Sequence, residues 1–521
     1  MRGVGARIVP NDRVKGYLCE MSAQGFQILT MVIYLLAMLG IGWWSYRRTK
    51  DLDDYMLGGR DLSPPVAALS AGASDMSGWL LMGLPGAVYA TGLVEAWIAV
   101  GLTVGAWVNW KIVAPRLRSY TEVAADSITI PSFLENRLKD SSRLLRIASG
   151  LIILVFFTFY VSSGMVAGGT FFESSFGMSY LSGLLLVSVV TVAYTLFGGF
   201  LAVSYTDFVQ GLMMVAALVM VPVVGFFAVG GFEGLSTSIQ AVNPDLMSWT
   251  KGATVIGVVS SLAWGLGYFG QPHIIVRFMA LRNPGEAVAG RRIGIGWMLF
   301  AVGGAVVTAL IGVAYFHQNP ELAITNPETV FIRLGQLLFH PLIAGFMLAA
   351  VLAAIMSTIS SQLLVTASAL VEDIYKALGK HQHEDKRYVL LGRLAVLSIS
   401  IVAAVLAINP QDSILGLVAF AWAGFGAAFG PTIILSLYWR KLSAMGAFAG
   451  MVTGAVIVGI WGNIDASGPF EIFDLYEILP GFVGNLIVAW AVSSFTFKPD
   501  PQIDDEFGES ARRASRFAEH T

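Results

Sequence analysis

The sequence predicts an all-α integral membrane protein with thirteen transmembrane helices. Three observations lead to this prediction. Of the 521 residues, 56% are hydrophobic and 13% are charged, whereas a soluble domain has about 25% charged residues. Apolar runs of about 20 residues, the length that crosses a bilayer core, recur along the chain. The basic residues gather in alternate loops between these runs, as they do in a protein that crosses a membrane repeatedly.

Thirteen apolar runs define the predicted helices in chain order. They cover residues 25–46, 64–90, 94–114, 147–172, 179–197, 201–229, 252–280, 292–315, 341–374, 387–408, 413–438, 443–461 and 475–495. The charged stretch 115–146 predicts a short surface helix. We therefore divide the chain into an N-terminal extension (1–24), a transmembrane domain (25–495) and a polar, flexible cytoplasmic tail (496–521).

The charge pattern orients these helices. Loops that follow the first, third, seventh, ninth, eleventh and thirteenth helices are basic, and Lys251 and Arg333 are exceptions in the opposite set. Since positive loops stay in the cytoplasm, we expect the N-terminus outside and the C-terminus inside, in the cell inner membrane. Residues 1–20 hold four basic side chains yet would lie outside. We therefore expect translation to start at Met21; the alternative is a short basic arm that crosses because it is small.

Composition also excludes several classes of function. The net charge of −2 offers no basic surface for nucleic acid. Cys19 is the only cysteine, so no disulfide framework or cysteine metal site is possible. No CxxC, HExxH, P-loop or GxSxG motif is present. We expect neither an enzyme nor a bound cofactor.

Two predicted helices are interrupted. The second contains SAGASDMSGWLLMGLPGA, which begins at Ser70, and the seventh contains SSLAWGLGYFGQPHI, which ends at Ile274. The two interrupted helices are the second and the seventh, five helices apart. Because each helix crosses the membrane once and five is odd, a five-helix unit that begins with the second helix and one that begins with the seventh enter the membrane from opposite sides. Unwound backbone is tolerated in a bilayer only against protein, water or a ligand. Such paired breaks indicate the binding site of a transporter built from an inverted repeat.

The first break carries a charge at Asp75. An aspartate at the centre of a membrane helix costs about 2.5–3.5 kcal/mol on the insertion scale and is a functional-site hypothesis by default. A cation beside it would offset that cost. The alternative is a glycine-mediated kink in which Asp75 is bonded to a neighbouring helix.

The ninth helix adds a polar face. Ala354, Ser357, Thr358 and Ser361 recur with helical spacing in LAAVLAAIMSTISSQLL. By itself this pattern is typical of a small-residue packing seam whose hydroxyls bond to the preceding turn. Alternatively, two hydroxyls and a carbonyl from this face, with two carbonyls from a broken helix, would give sodium five neutral oxygen ligands.

Aromatic and acidic side chains complete the set of candidates. Trp79, Tyr160, Trp264 and Tyr268 lie within predicted helices, which favours a cage around a small ligand over the usual interfacial belt. Asp207 lies in the first turns of the sixth helix, where it would either favour the helix N-terminus or serve an inner gate. No arginine is apparent in the middle of a helix beside either break, so a dicarboxylate or phosphate would lack its usual partner.

These motifs, together with RFMA after the second break and AWAGFGAAFGP from Ala421, resemble the sodium:solute symporter family, and within it the bacterial members that import proline. The resemblance runs from about residue 25 to 495. It implies a LeuT-like core of five plus five inverted helices, formed by helices 2–11, with one helix before and two after. It also implies that L-proline enters with one sodium ion.

The resemblance further implies roles for individual residues. Sodium would be held by the carbonyls of Ala73, Met76 and Ala354 and the hydroxyls of Ser357 and Thr358. The positions implied for substrate binding are Ser77, Gly78, Trp79, Tyr160, Trp264 and Tyr268. The positions implied for coupling and gating are Asp75, Arg60, Asp207 and Arg393.

Two other functions stay open at this stage. The same fold could carry another small amino or organic acid. A transporter-like solute sensor is a different class, but such proteins usually carry a kinase or regulator domain, and the tail here is short. The sequence does not indicate an oligomeric state.

Overall fold

A computed structural model describes residues 22–48, 52–376, 385–410, 413–464 and 471–518. Within these ranges the secondary structure is helical, apart from one isolated bridge between Leu62 and Leu281. The all-α class is thereby confirmed. The prediction that translation starts at Met21 lies outside the described residues.

Twenty α-helices in the described ranges are numbered here in chain order. They are α1 (Ala23–Tyr46), α2 (Leu52–Leu57), α3 (Pro64–Asp75), α4 (Leu84–Thr91), α5 (Ala96–Val108), α6 (Ala114–Val123), α7 (Ile130–Leu138), α8 (Leu144–Phe176), α9 (Tyr180–Ala228), α10 (Gly231–Val242), α11 (Val255–Ala263), α12 (Pro272–Met279), α13 (Glu286–Gln318), α14 (Val330–Leu338), α15 (Pro341–Ser368), α16 (Asp385–Leu406), α17 (Ile414–Tyr438), α18 (Ala444–Trp461), α19 (Ile478–Thr496) and α20 (Pro501–Ala518).

Several helices begin where the sequence supplies a polar cap. A serine or threonine oxygen accepts a hydrogen bond from the backbone of the first turn, at Ser22, Ser179, Thr254, Ser413 and Ser443. Such caps satisfy N–H groups that have no partner within the helix. They fix the starts of α1, α9, α11, α17 and α18.

Ten helical segments in the described ranges are long and apolar enough to cross a membrane. Three further apolar helices are shorter: Trp79–Thr91, Tyr180–Leu196 and Val255–Phe269. They coincide with parts of the second, fifth and seventh predicted helices. The expected boundary between the fifth and sixth helices is a kink in α9 at Gly199, where φ is 59°. A β-carbon there would lie 2.7 Å from the Tyr55 ring, so the kink favours glycine.

The centre of the molecule is α15, which packs against α1, α3, α8 and α9. Most of its apolar window is buried, at 83% of the residues. Alanine and serine dominate its sequence, and small side chains let neighbouring helices approach closely. Helices on the periphery instead expose apolar side chains, such as Leu36 on α1 and Phe495 on α19. The ninth predicted helix is therefore the element around which the others assemble.

The prediction of a flexible C-terminal tail is wrong. Residues 501–518 form α20, which packs along α6. The ring of Phe507 lies 5.3 Å from the guanidinium carbons of both Arg137 and Arg440. The Ser119 hydroxyl donates to the carbonyl oxygen of Ser510 at 2.9 Å. Although its composition is polar, this segment is an amphipathic helix that packs through Phe507.

The surface helix expected within 115–146 is present as α7, but it is largely buried. Thr129 caps it in a reciprocal capping box with Ser132. The side chain of Arg137 is inaccessible to solvent and its Nε donates to the carbonyl oxygen of Ser436 at 3.1 Å. Burial lowers the pKa of this guanidinium. The charges of this stretch therefore serve packing as well as solvation.

Candidate binding site at the two broken helices

Both predicted breaks are present. α3 ends at Asp75, and Met76 has the non-helical angles φ −81° and ψ 76°. Helical structure resumes at Trp79. In the second break, α11 ends at Ala263, a 3₁₀ segment covers Trp264–Phe269, and α12 starts at Pro272. Glycine, serine and proline make both interruptions favourable, because they are weak helix formers or lack the backbone donor.

The first break meets the polar face of α15. The Ser357 hydroxyl lies 2.7 Å from the carbonyl oxygen of Ala73 and 3.1 Å from that of Ala354. The Thr358 hydroxyl is buried and has no hydrogen-bond partner among the described residues. Met76 and Thr358 are each 1% exposed. The structure thus brings three of the five expected sodium ligands within hydrogen-bond distance, and the residues that carry the other two are buried.

Asp75 connects the two breaks. Its Oδ2 accepts a hydrogen bond from the Tyr268 hydroxyl, while its Oδ1 is buried without a partner among the described residues. The Trp79 indole donates to the Asp75 carbonyl oxygen at 3.1 Å, and the Asn109 amide donates to the Tyr268 carbonyl oxygen at 2.9 Å. The bond to a neighbouring segment, foreseen in the kink alternative, therefore exists. It satisfies only one of the two carboxylate oxygens.

The aromatic candidates belong to a larger cluster. Trp264 stacks on Trp422 of α17 with ring centroids 6.4 Å apart and on Tyr476 at 5.2 Å. The Tyr268 ring meets Trp422 edge-on at 5.2 Å, and the Trp422 indole donates to the Trp264 carbonyl oxygen at 2.8 Å. Sequence reasoning missed both partners. Trp422 lies in the AWAGFGAAFGP motif, which was a usable signal, whereas nothing local marks Tyr476.

Tyr160, Ser77 and Gly78 approach the same region from α8 and the first break. The Tyr160 ring lies 5.9 Å from that of His273, and its hydroxyl is buried without a hydrogen-bond partner in the described ranges. The Ser77 hydroxyl lies 3.4 Å from the Trp79 backbone nitrogen. A β-carbon on Gly78 would lie 2.7 Å from that of Ala167, so glycine allows α8 to approach the break closely.

Asp207 bonds to side chains on other helices and does not serve only its own helix N-terminus. It is fully buried, and its Oδ2 accepts hydrogen bonds from Ser70 at 2.8 Å, Arg277 at 3.1 Å and Ser361 at 3.2 Å. The interpretation that it only favours a helix N-terminus is wrong, because its partners are an arginine and two hydroxyls on other helices. Ser70 and Ser361 lie one turn from Ala73 and Ser357 on their respective helices. The buried cluster of Asp207, Arg277, Ser70 and Ser361 therefore adjoins the expected sodium ligands.

The prediction that no arginine lies in a helix beside either break is wrong, because Arg277 lies in α12. It belongs to the RFMA motif, follows the second break by one to two turns, and is inaccessible to solvent. Its guanidinium also donates to Ser361 Oγ at 2.7 Å and to the carbonyl oxygen of His273. Its charge is balanced by Asp207 rather than held free for a ligand.

The remaining gating candidates, Arg60 and Arg393, have partners of their own. Arg60 donates to Thr121 Oγ1 at 3.1 Å and the Met279 carbonyl oxygen at 3.0 Å, and pairs with Asp126 at 2.9 Å. Its φ of 55° is rare for a residue with a β-carbon. Burial lowers the pKa of its guanidinium, and Asp126 opposes that shift. Arg393 donates to the Leu196 carbonyl oxygen at 3.0 Å.

The fold and its two broken helices define a structural class, because the solved structures that the chain resembles are transporters with a LeuT-like fold. A Na⁺-coupled sialic acid symporter, solved in a substrate-bound outward-open state, matches with a TM-score of 0.76 at 20% identity, over 92% of this chain and 99% of that chain. MHP1, a nucleobase-cation-symport-1 family transporter, matches with a TM-score of 0.54 at 14% identity, over 87% of this chain and 98% of that chain. Identities this low establish the fold alone.

The sequence profile of the Sodium:solute symporter family matches residues 55–454, and the chain belongs to that family. Its relatives include the high-affinity proline transporter PutP of Bacillus subtilis, at 58% identity over 91% of this chain and 98% of the relative. The osmoregulated proline transporter OpuE of the same species is 56% identical, over 91% and 95%. Sodium/proline symporter 2 of Staphylococcus saprophyticus is 52% identical, over 90% and 93%. The family resemblance read from the motifs is confirmed.

Proposed function

We propose that this protein imports L-proline across the cell inner membrane, driven by sodium. The observation that carries the proposal is the meeting of the first break with α15, where the Ser357 hydroxyl contacts the carbonyl oxygens of Ala73 and Ala354. The substrate follows from the relatives, which are named as proline transporters or sodium/proline symporters at 50–58% identity.

The proposed membrane arrangement has thirteen crossings. The ten long apolar segments and the three shorter ones together account for that number. Counted among these thirteen crossings, the second to the eleventh would form the five-plus-five repeat, with one crossing before it and two after it. The alternation of basic loops supports an N-terminus outside and a C-terminus in the cytoplasm, with the transmembrane domain spanning residues 25–495.

The proposed sodium site consists of five uncharged oxygens. They are the carbonyls of Ala73, Met76 and Ala354 and the hydroxyls of Ser357 and Thr358. Unwound carbonyls in a discontinuous helix are typical sodium ligands in transporters of this kind. The contacts of the Ser357 hydroxyl with the Ala73 and Ala354 carbonyl oxygens support this assignment, because they bring oxygens of α3 and α15 together.

The proposed proline subsite lies between the breaks. Backbone N–H groups near Ser77 and Gly78 would receive the carboxylate, because they stand at the start of a half-helix whose dipole favours an anion. The flat faces of Trp79, Tyr160, Trp264 and Tyr268 would enclose the apolar ring of the substrate and attract its ammonium group. Arg277 is committed to Asp207, so the subsite favours a zwitterion over a dianion.

Coupling is proposed to run through the acidic residues. Asp75 bridges the two breaks through Tyr268, and Asp207 links α3, α9, α12 and α15. Arg60 and Arg393 lie outside this cluster and would act on the loops and helix ends that close the pathway. An electrical potential of about 100 mV contributes roughly 2.3 kcal/mol per sodium ion. A tenfold sodium gradient adds about 1.4 kcal/mol, and together they could sustain about 500-fold accumulation of a neutral solute.

Removing the hydroxyls of α15 tests the sodium site. Ser357→Ala and Thr358→Ala are each expected to raise the sodium concentration for half-maximal uptake by at least about tenfold, the effect of losing roughly 1.4 kcal/mol of ion binding. Alanine suits a helix, so membrane insertion is expected to persist. Initial rates of labelled proline uptake, measured against sodium concentration, give the result.

Thr366→Ala is the matched control for this pair. Thr366 is a buried hydroxyl on the same helix, and it donates to the Gln362 carbonyl oxygen at 2.6 Å. Its loss is expected to leave the sodium dependence unchanged. An unaltered sodium dependence in the Ser357→Ala/Thr358→Ala double variant would refute the placement of the ion.

Competition for uptake tests the substrate. Small cyclic analogues of proline are expected to inhibit uptake of labelled L-proline, since they keep the carboxylate, the ammonium and the compact ring. Glutamate, lysine and glucose are expected to inhibit little, because each lacks one of these features or adds a charge without a partner. Inhibition by glucose as strong as that by unlabelled proline would contradict the proposed subsite.

A further inference from the structure

A basic cleft lies away from the two breaks. Its walls are formed by residues 110–116 after α5, by the start of α13 and by the C-terminal helix α20. Its volume is about 480 Å³. Its lining includes four basic side chains, Lys111, Arg116, Arg291 and Arg292, and the apolar side chains of Trp110 and Val288. Among the described residues that line it, none carries a carboxylate. Ala514 and Ser515 of the C-terminal helix form part of one wall.

The four cations of this basic cleft form no ion pair within the described part of the chain. Arg116 donates to the Leu437 carbonyl oxygen at 2.6 Å and stacks on Tyr438 at 4.4 Å. Lys111 and Arg291 lie over the ring of Trp107, at 4.7 and 5.9 Å. Carbonyls and rings orient these side chains but leave the net positive charge of the cleft in place. An anion is the ligand that such a site favours.

Apolar surface continues from the basic cleft along both flanking helices. On the α5 side, Val104 and Trp107 precede Lys111 by seven and four residues and are 57% and 42% exposed. On α13, Leu299 and Phe300 follow Arg292 by seven and eight residues and are 57% and 66% exposed. Lys111 lies over the ring of Trp107, and on α13 the spacings place Leu299 and Phe300 on the face of Arg292.

Both helices belong to segments long and apolar enough to span a membrane, Leu93–Val123 and Glu286–Gln318, and they contact each other. The basic residues lie toward one end of each segment. The surface therefore has a cationic end and an apolar track about two helical turns long. A free inorganic anion would use only the first of these features, whereas a phospholipid would use both.

We propose that the basic cleft binds the headgroup of an anionic phospholipid whose acyl chains lie along Val104, Trp107, Leu299 and Phe300. The phosphate would sit among Lys111, Arg116, Arg291 and Arg292. Because α20 supplies one wall, the lipid would also hold the C-terminal helix against the transmembrane domain. This proposal is independent of the transported solute.

Lipid binding to the purified full-length protein in zwitterionic nanodiscs tests the proposal, with phosphatidylglycerol and phosphatidylcholine carrying the same labelled chain as probes. Phosphatidylglycerol is expected to bind saturably and phosphatidylcholine is not. Lys111→Gln/Arg292→Gln removes two exposed charges from the cleft and is expected to weaken binding by about tenfold or more, since each basic residue near an anionic lipid contributes appreciably. The control Arg48→Gln/Lys441→Gln removes two exposed charges that do not line the cleft and is expected to change binding by less than about twofold.

Three results would overturn the proposal. Equal binding of both lipids would show that charge is not recognised. Equal losses in the two double variants would show that any basic residue suffices. Displacement of phosphatidylglycerol by millimolar inorganic phosphate would show an anion site that does not use the apolar track.

Discussion

Asp75→Asn is expected to abolish sodium-driven proline uptake while leaving the protein in the membrane at normal abundance. The substitution preserves size and removes the charge. In the structure the carboxylate is 1% exposed, one of its oxygens accepts from Tyr268, and the other has no partner among the described residues. A buried charge left in this state favours a nearby cation. Uptake rates, normalised to the amount of protein in the membrane, measure the effect.

Tyr268→Phe is the companion variant, since it removes the hydroxyl that donates to Asp75 but leaves the carboxylate and the ring. We expect uptake to fall less than in Asp75→Asn, because the charge would persist. If Asp75→Asn transported proline with normal sodium dependence, the aspartate would have a structural role only. If both variants failed equally, the hydrogen bond rather than the charge would be the essential feature.

Asp207→Asn and Arg277→Gln are each expected to destabilise the protein and to lower uptake by more than tenfold. Both side chains are fully buried, with Asp207 Oδ2 at 3.1 Å from the guanidinium. Removing one member of a buried ion pair strands the other charge and typically costs about 3–5 kcal/mol. The midpoint of thermal unfolding of each purified variant measures this loss.

The double variant Asp207→Asn/Arg277→Gln separates stability from transport. Its unfolding midpoint is expected to recover most of the loss of either single variant, because no unpaired charge is left. Uptake is expected to stay impaired, since the charged connection between α3, α9, α12 and α15 is absent. Additive destabilisation in the double variant would show that the two charges are not energetically coupled.

The breaks and the span limits could be predicted because their signals are local. Hydropathy placed the ninth helix at 341–374, and the corresponding apolar segment covers Pro341–Tyr375. Serine, glycine and proline interrupt an apolar run in the same few residues where the backbone leaves the helix. The polar face of α15 was likewise visible from its spacing, and the structure turns Ser357 toward Ala73.

The partners of buried charges could not be predicted, because they depend on contacts distant in sequence. Arg277 follows an apolar run, so the sequence alone places it at the end of a membrane helix. Its partner Asp207 lies 70 residues earlier in the chain. The same reason applies to Tyr476, which contacts Trp264 from the loop just before α19. The prediction for the C-terminal segment failed for another reason: its mean composition is polar, and its buried apolar side chains, such as Phe507 and Ala514, are separated by polar ones.

Uptake of labelled L-proline into proteoliposomes that contain only the purified protein tests the central claim most directly. With an inward sodium gradient and a negative interior, we expect proline to accumulate above its external concentration. Collapsing the sodium gradient at constant potential should reduce the accumulation by the factor that one sodium ion per proline requires. Accumulation that is indifferent to sodium, or proline that only equilibrates while the gradient persists, would contradict sodium-coupled import.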